Sequence, residues 1–437
     1  MRASIRTALS ASVAVCALCA AVSGVKAGSF LIREQSTIGS GLSTAGAAAG
    51  GAGEGSEFWN PATITDYPGW QSSWSVTGIF PSANITAQPG STLLPLGAKS
   101  GDIGQDAMVP ASYDSYQFND KIWLGLATYA PFGLVTRNPP IWAGSFSGIS
   151  SKVLSFDVNP TIAYKISDAF SVAAGFQAMW FRAFQSSALT LPGVAGATAL
   201  TTSALSGSSW GYGFTLGATW KPMDGTEIGV GYRSSIREDV KGSASLGSAV
   251  GALPAGTYDV GVKFDLPDMV TVGVRQKITP LMTLLAGFEW DGWSKLGTIP
   301  VVARGPFPPA GTTLSTINFN YNDGWLASLG GEYQWNPNLT LRAGVAYEKS
   351  PIDDANRSIT LPDSDRIWAS IGATYKVSEK LSLDIAYSHL FPVNGTITTT
   401  TPVVFLGTTT SHIDIVSVGF KYRWDAPAAP APIVAKY

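Results

Sequence analysis

From His412 to Trp424 the chain alternates without a break. Val416, Val418, Phe420, Tyr422 and Trp424 fall on one side, and Ser417, Gly419, Lys421 and Arg423 on the other. Successive side chains of a strand point to opposite faces, so this stretch reads as a strand with one greasy and one wet face. The same period of two recurs from about Trp70 to the end of the chain. An outer-membrane β-barrel, apolar outside and polar or small inside, is the simplest architecture that needs such a pattern throughout.

Read by alternation, strands are expected near 70–80, 108–118, 121–134, 151–166, 170–185, 208–221, 226–237, 264–278, 281–293, 318–335, 339–348, 366–377, 381–390 and 412–424. Fourteen is an even number, as a bacterial barrel of this type requires. The connections support it independently. Tight turns such as Ile166 to Ala169, Lys221 to Gly225 and Trp335 to Asn338 alternate with long segments, the pattern of short periplasmic turns and long extracellular loops. The fold expected is therefore all-β: a 14-stranded antiparallel transmembrane β-barrel over residues 70–424.

Composition supports an exterior facing lipid. Charged residues make up 13% of the 437, about half the ~25% of a soluble globular chain. No segment after the leader approaches the ~18 consecutive apolar residues of a membrane helix, so entry into a membrane would be as a barrel. The leader itself, residues 1–27, has Arg2 and Arg6, an apolar run from Ala8 to Val22, and Val25 and Ala27 before a cut at Gly28. It reads as a secretory signal peptide. Cys16 and Cys19 follow Val15 and Leu18, where a lipoprotein signal wants a small residue, and the rest of the chain has no cysteine. The net charge is −2, and loss of the leader removes only basic residues, which argues against nucleic acid.

Two segments fall outside the strand pattern. Residues 28–69 contain a run from Gly39 to Gly55 whose side chains are too small to build a core of their own. They read either as an N-terminal hatch plugging the lumen, which is wide at fourteen strands, or as a flexible linker. Residues 425–437, with their Ala-Pro repeats, read as a periplasmic arm.

Several phrases resemble the long-chain fatty-acid transporter family of Gram-negative outer membranes, the FadL type, which also includes aromatic-hydrocarbon importers. Asn60-Pro61-Ala62 resembles the family's motif at the end of its hatch. Tyr129 to Leu134, containing Pro131, Phe132 and Gly133, is similar to the segment where members kink inward. Leu341 to Pro351 with Asn356, Arg357 and Leu361 to Arg366 resembles the C-terminal signature. Members finish on an aromatic residue, whereas here Trp424 precedes thirteen more residues.

The resemblance implies passive uptake of hydrophobic compounds, long-chain fatty acids first, through lumenal binding, hatch movement and lateral exit. Aromatic or other hydrocarbons are the alternative. It implies gating by Asn60, Pro61, Ala62, Pro131, Phe132, Gly133 and Glu348, with an acid at Glu348 bonded to the Asn60 segment. It implies ligand contacts at Arg182, with Trp180 and Phe181 beside it. By strand parity alone Arg182 instead falls with Phe176 and Trp180, outside the barrel. Partners expected are the hydrophobic ligand, outer-membrane lipids and lipopolysaccharide, and the barrel-insertion machinery. No cofactor or metal is expected.

Other chemistry reads weakly. Gly207-Ser208-Ser209-Trp210-Gly211 matches a nucleophile elbow in letters but opens a strand. Ser388 and His389 are strand neighbours and point to opposite faces. A lipid hydrolase is thus a distant alternative, and an adhesin would need only the loops. Asp353, Asp354, Asp363 and Asp365 share one loop, where oxygen ligands for Ca²⁺ compete with a solvated acidic loop.

Overall fold

The computed structural model describes residues 29–194, 197–401 and 403–425. The leader and nearly all of the expected arm lie outside these residues. Alternation along each strand closes a single antiparallel wall of fourteen staves. They are β1 (Trp70–Ala87), β2 (Ala107–Gln117), β3 (Ile122–Tyr129 continued by Gly133–Arg137), β4 (Ser150–Ser167), β5 (Phe170–Thr190), β6 (Thr201–Met223) and β7 (Thr226–Arg233 continued by Ile236–Leu246). There follow β8 (Gly256–Leu266 continued by Met269–Lys277), β9 (Met282–Asp291 continued by Thr298–Ala303), β10 (Thr313–Asn318 continued by Gly324–Asn336), β11 (Leu339–Lys349), β12 (Arg366–Lys376), β13 (Leu381–Pro392) and β14 (Phe405–Arg423). The ring shuts where β14 pairs with β1 from Gln71↔Arg423 to Ala87↔Gly407.

Side chains sort as the alternation requires. Tyr212, Phe214, Leu216 and Trp220 of β6 and Val416, Val418 and Phe420 of β14 are exposed on the outside. Thr215, Thr219 and Ser417 are buried inside. Several staves depart from their expected bounds. β5, β6 and β14 run further toward the long loops, and β7 to β10 are each broken once, at 234–235, 267–268, 292–297 and 319–323. The expected strands 226–237 and 264–278 run across the breaks at 234–235 and 267–268 but miss the parts of β7 and β8 nearer the long loop, 238–246 and 256–263.

Residues 29–67 are buried almost throughout and lie inside the ring as a one-turn helix (Thr37–Ser40) and 3₁₀ turns, among them Gly53–Phe58 and Pro61–Asp66. Hydroxyls tie them to the wall: Thr37 to Ser417 and Ser43 to Ser370 at 2.7 Å each, and Ser388 to the Ser40 carbonyl at 2.9 Å. This is packing, not a free linker. It works because the inward positions of the wall are glycines where backbone meets backbone. A Cβ on Gly344 would sit 2.1 Å from the Leu42 carbonyl oxygen, and one on Gly229 would sit 1.7 Å from that of Ala48.

Gly344→Val should therefore leave the wall formed but loosen the stretch around Leu42, because overpacking costs ~1–3 kcal/mol or more and the wall is the stiffer party. Heat-modifiable migration on a gel should persist, while amide exchange over residues 39–46 should rise at least tenfold. Unchanged protection would mean that the inward glycines do not set the fit.

Candidate functional site

Between β2 and β3 the wall has a local fault. The β2–β3 ladder runs from Gln117↔Trp123 to Ser112↔Thr128 and stops. It reappears as a single bridge, Gly104↔Thr136, in the same register, so the staves part and rejoin without slipping. Pro131, which has no N–H to give, lies on one lip. Pro110 of β2 lies on the other. Between the lips the chain turns inward and Ser155 of β4 holds it, accepting from the Phe132 N–H at 2.8 Å and donating to the Phe132 carbonyl at 2.7 Å.

The N-terminal segment stands in for the missing partner. Leu31 bridges Phe132, the Ile32 N–H donates to the Pro131 carbonyl at 2.8 Å, and the Gly133 N–H donates to the Phe30 carbonyl at 2.9 Å. Gln35 donates to the Ala130 carbonyl at 2.9 Å. Gly133 is not among the residues with positive φ. Its contribution is space, since a Cβ there would meet Ile32 Cδ1 at 2.7 Å.

The next residue of that segment carries a buried charge. Arg33 is 2% exposed. It donates to Glu289 of β9 and Glu348 of β11 at 2.6 Å each, and to Asp291 of β9. Trp59 donates to Glu289 at 2.9 Å, and Trp368 to Glu348 at 2.8 Å. Arg366 pairs with Asp363, to which the Ser29 N–H also donates at 3.0 Å. Breaking a buried pair by removing one partner costs ~3–5 kcal/mol, because the other charge stays in low dielectric. Arg33 is bound to three.

Asn60, Pro61 and Ala62 form a second attachment. Asn60 caps the turn Pro61–Asp66, accepting from the Ala62 N–H at 3.0 Å. Its amide donates to the Ala48 carbonyl at 2.7 Å and to the Ala218 carbonyl of β6 at 2.9 Å. The expected bond from Asn60 to Glu348 is therefore corrected: both amide hydrogens go to backbone carbonyls, and Glu348 is held by Arg33, Trp368 and Arg366. Nearby, Arg233 of β7 donates to the Phe58 carbonyl at 2.8 Å and lies over the Phe58 ring at 4.3 Å.

Above the fault lies an apolar interior that includes Phe30, Phe132, Trp293, Phe181, Val262 and Leu266. Phe181 packs edge-on against Phe264 at 5.5 Å. Trp180 and Arg182 do not belong to this interior. Register with the exposed Trp210 and Ser208 puts both on the outer face, and Arg182 is exposed. The lumenal contact expected of them is overturned by strand parity. Three acids of the loop are held by cations: Asp354 pairs with Arg357, Asp363 with Arg366, and Asp365 with Lys349. Ser388 faces inward to Ser40, whereas His389 bonds Asp414 at 2.8 Å.

Sequence reading missed Arg33, Glu289, Asp291 and Arg233. Charges at the inward parity of β7 and β9 were a usable signal, as was Pro110 opposite Pro131. What links them to Arg33 is contact across more than 250 residues, which no local pattern carries.

A family model described as "Outer membrane protein transport protein (OMPP1/FadL/TodX)" matches residues 17–424. The chain belongs to this family. Its members are outer-membrane transport proteins, not enzymes. The long-chain fatty acid transport protein of Escherichia coli K12 is 27% identical over 400 residues, covering 83% of this chain and 87% of that one. A 47 kDa outer membrane protein of Pasteurella multocida is 29% identical over 395 residues, covering 86% and 90%. Among solved structures, a Pseudomonas aeruginosa FadL homologue superposes with TM-score 0.83 at 23% identity, covering 91% and 100%. The Ralstonia pickettii toluene transporter TbuX gives 0.67 at 21%, covering 89% and 98%.

Two buried acids of the N-terminal segment titrate abnormally. Burial, with Asp114 adding and Arg233 opposing, pushes Glu57 up to about 8. Burial likewise pushes Glu34 up to about 7. The folded chain thus keeps protons that the unfolded chain releases above 4.5. That contribution to stability is complete below the ordinary carboxyl value and is lost as pH rises through 7 and 8. Exchange protection of residues 53–66 should fall between pH 5 and 9, and Glu57→Gln should flatten most of the fall. A steep fall unchanged in that variant would exclude Glu57 as its source.

Proposed function

We propose that this outer-membrane protein takes up hydrophobic compounds passively, long-chain fatty acids first. Residues 28–69 act as a hatch, and the ligand leaves sideways between β2 and β3. The observation that carries this reading is the interrupted β2–β3 ladder filled by Phe30 to Ile32. A ligand in the apolar interior lies next to that fault, and withdrawing the segment opens a path to lipid. At ~0.8 kcal/mol per buried CH₂, a sixteen-carbon chain would lose roughly 10 kcal/mol by entering water, so the lateral route is strongly favoured over release into the periplasm. Fatty acids come first because a relative named a long-chain fatty acid transport protein matches over most of both chains.

Arg33, Asn60 to Ala62 and Glu348 hold the closed position in this reading, and Pro131 to Gly133 form the lip. Glu348 acts through Arg33. Asn60 acts through the wall at β6.

A second reading, an uncharged hydrocarbon, has one observation in its favour. The buried arginines among the described residues, Arg33, Arg233, Arg357 and Arg366, already bond protein acceptors, with which a carboxylate head group would have to compete. Expression in a host lacking its own importer separates the two. Uptake of radiolabelled palmitate without energy coupling supports the first reading, and uptake of toluene alone supports the second. Uptake of neither, with normal heat-modifiable protein, would refute both.

The exit itself is testable by mending the wall. Replacing Ala130 to Leu134 by an alternating Val/Thr strand should restore pairing with β2, leave heat modifiability and ligand binding close to wild type, and cut uptake by at least tenfold. Transport at the wild-type rate would mean that ligand leaves down the lumen.

A further inference from the structure

Arg182, expected inside, heads an outward cluster that the transport reading does not use. Register carries one outer-face row across four staves: Arg182 of β5 opposite Ser208 of β6, Ser208 opposite Lys241 of β7, and Lys241 opposite Gly261 of β8. Gly261 leaves room for the Arg304 side chain, whose Cδ would lie 3.0 Å from a Cβ there. Arg182, Lys241 and Arg304 line a cleft of about 720 Å³ together with Trp180, Asp259 and serines. All three cations are exposed. None makes a side-chain hydrogen bond or ion pair among the described residues, whereas nearby Lys263 faces Asp239 at 3.6 Å. With Asp259 counted, the cleft keeps a net charge of about two positive units.

Its depth in the membrane follows from the strands. Phe170, opposite Trp220, sits by the periplasmic turn, and Trp180 lies level with Phe156 and Trp210. At ~3.3 Å per residue and a tilt of ~40°, the ten residues from Phe170 to Trp180 rise about 25 Å, the height of the apolar band between aromatic girdles. Arg182 is two residues higher, at the level of outer-leaflet head groups. Below it Phe176 and Tyr212 stack outward at 6.0 Å, an apolar surface for acyl chains. Cations above an aromatic girdle and an acyl-binding face below it match a ligand that carries both phosphate and several fatty-acyl chains.

We propose that the cleft formed by Arg182, Lys241 and Arg304 on the outer face of β5 to β8 binds the phosphate of a phosphorylated glycolipid of the outer leaflet. Unpaired guanidinium and ammonium groups there form charge-assisted bonds to phosphate oxygens. The site is separate from the lumen, so it stands or falls independently of what the barrel transports.

The test uses full-length protein extracted in mild detergent, stripped of lipid, and titrated with bis-phosphorylated hexa-acyl lipid A, with its dephosphorylated form, and with inorganic phosphate. Native mass spectra give the bound fraction. Wild type should bind the phosphorylated lipid at least about tenfold more tightly than R182Q/K241Q/R304Q, because the variant removes all three cations. The two proteins should bind the dephosphorylated form equally, and inorganic phosphate should bind neither. Lys263→Gln, outside the cleft, should behave as wild type. Equal retention by the triple variant overturns the site, as does equal affinity for the dephosphorylated lipid. Binding of inorganic phosphate alone makes it a free-anion site and overturns the lipid. Should the triple variant fail the gel-shift test of folding, Arg182→Gln and Arg304→Gln are measured singly, and wild-type affinity in both refutes the proposal.

Discussion

In lipid no water is at hand to satisfy a backbone N–H or C=O, so a wall of strands has to close on itself and keep its ladders intact. The chain closes its ring at the β1–β14 seam and interrupts its ladders between β6 and β7, between β8, β9 and β10, and between β2 and β3; the last of these is the one the N-terminal segment fills. There the carbonyls of Ala130 and Pro131 and the N–H of Gly133 are satisfied from inside by Phe30, Ile32 and Gln35. Irregular backbone at membrane depth is tolerated because protein covers it. The fault and the buried segment are thus one structural feature.

Electrostatics ties that feature to the far side of the ring. Residues 30–32 fill the fault, Arg33 binds Glu289, Asp291 and Glu348, and Gln35 returns to Ala130. Five of the six positions from 30 to 35 therefore join β3 to β9 and β11. Around them two guanidiniums, Arg33 and Arg366, face the carboxyls of Glu34, Glu289, Asp291, Glu348 and Asp363. Such a group is not stable with every acid ionised, and Glu34, raised by burial, is a natural place for a proton.

The barrel was legible because period-two alternation and turn length are local signals, each repeated many times. Tyr212 to Trp220 and Leu339 to Tyr347 read the same in sequence and in space. The parts of β7, β8 and β9 nearer the long loops, 238–246, 256–263 and 298–303, were lost. The contacts of the N-terminal segment were less legible. Residue type identified Asn60 and Glu348, but not their partners, which depend on the rotation of the segment within the ring. Arg182 shows the opposite case: parity placed it outside, the resemblance placed it inside, and the physical rule held.

On the proposed reading, the step from ligand binding to opening needs a ligand that binds the open state better than the closed one, since equal affinity shifts nothing. Phe30 supplies the difference. Its ring touches Phe132 at the fault, with centroids 5.9 Å apart, and Trp293 in the apolar interior, at 4.7 Å. A ligand seated against Trp293 and Phe132 competes for the surface that Phe30 covers, so it binds fully only when Phe30 has left. Burial of a large apolar side chain is worth ~1.5–3 kcal/mol, whereas each partner lost by Arg33 costs at least as much. Displacing Phe30 alone therefore loosens the fault without releasing Arg33. The geometry thus separates a small local opening at the lip, within reach of ligand binding, from expulsion of the whole segment, which is not.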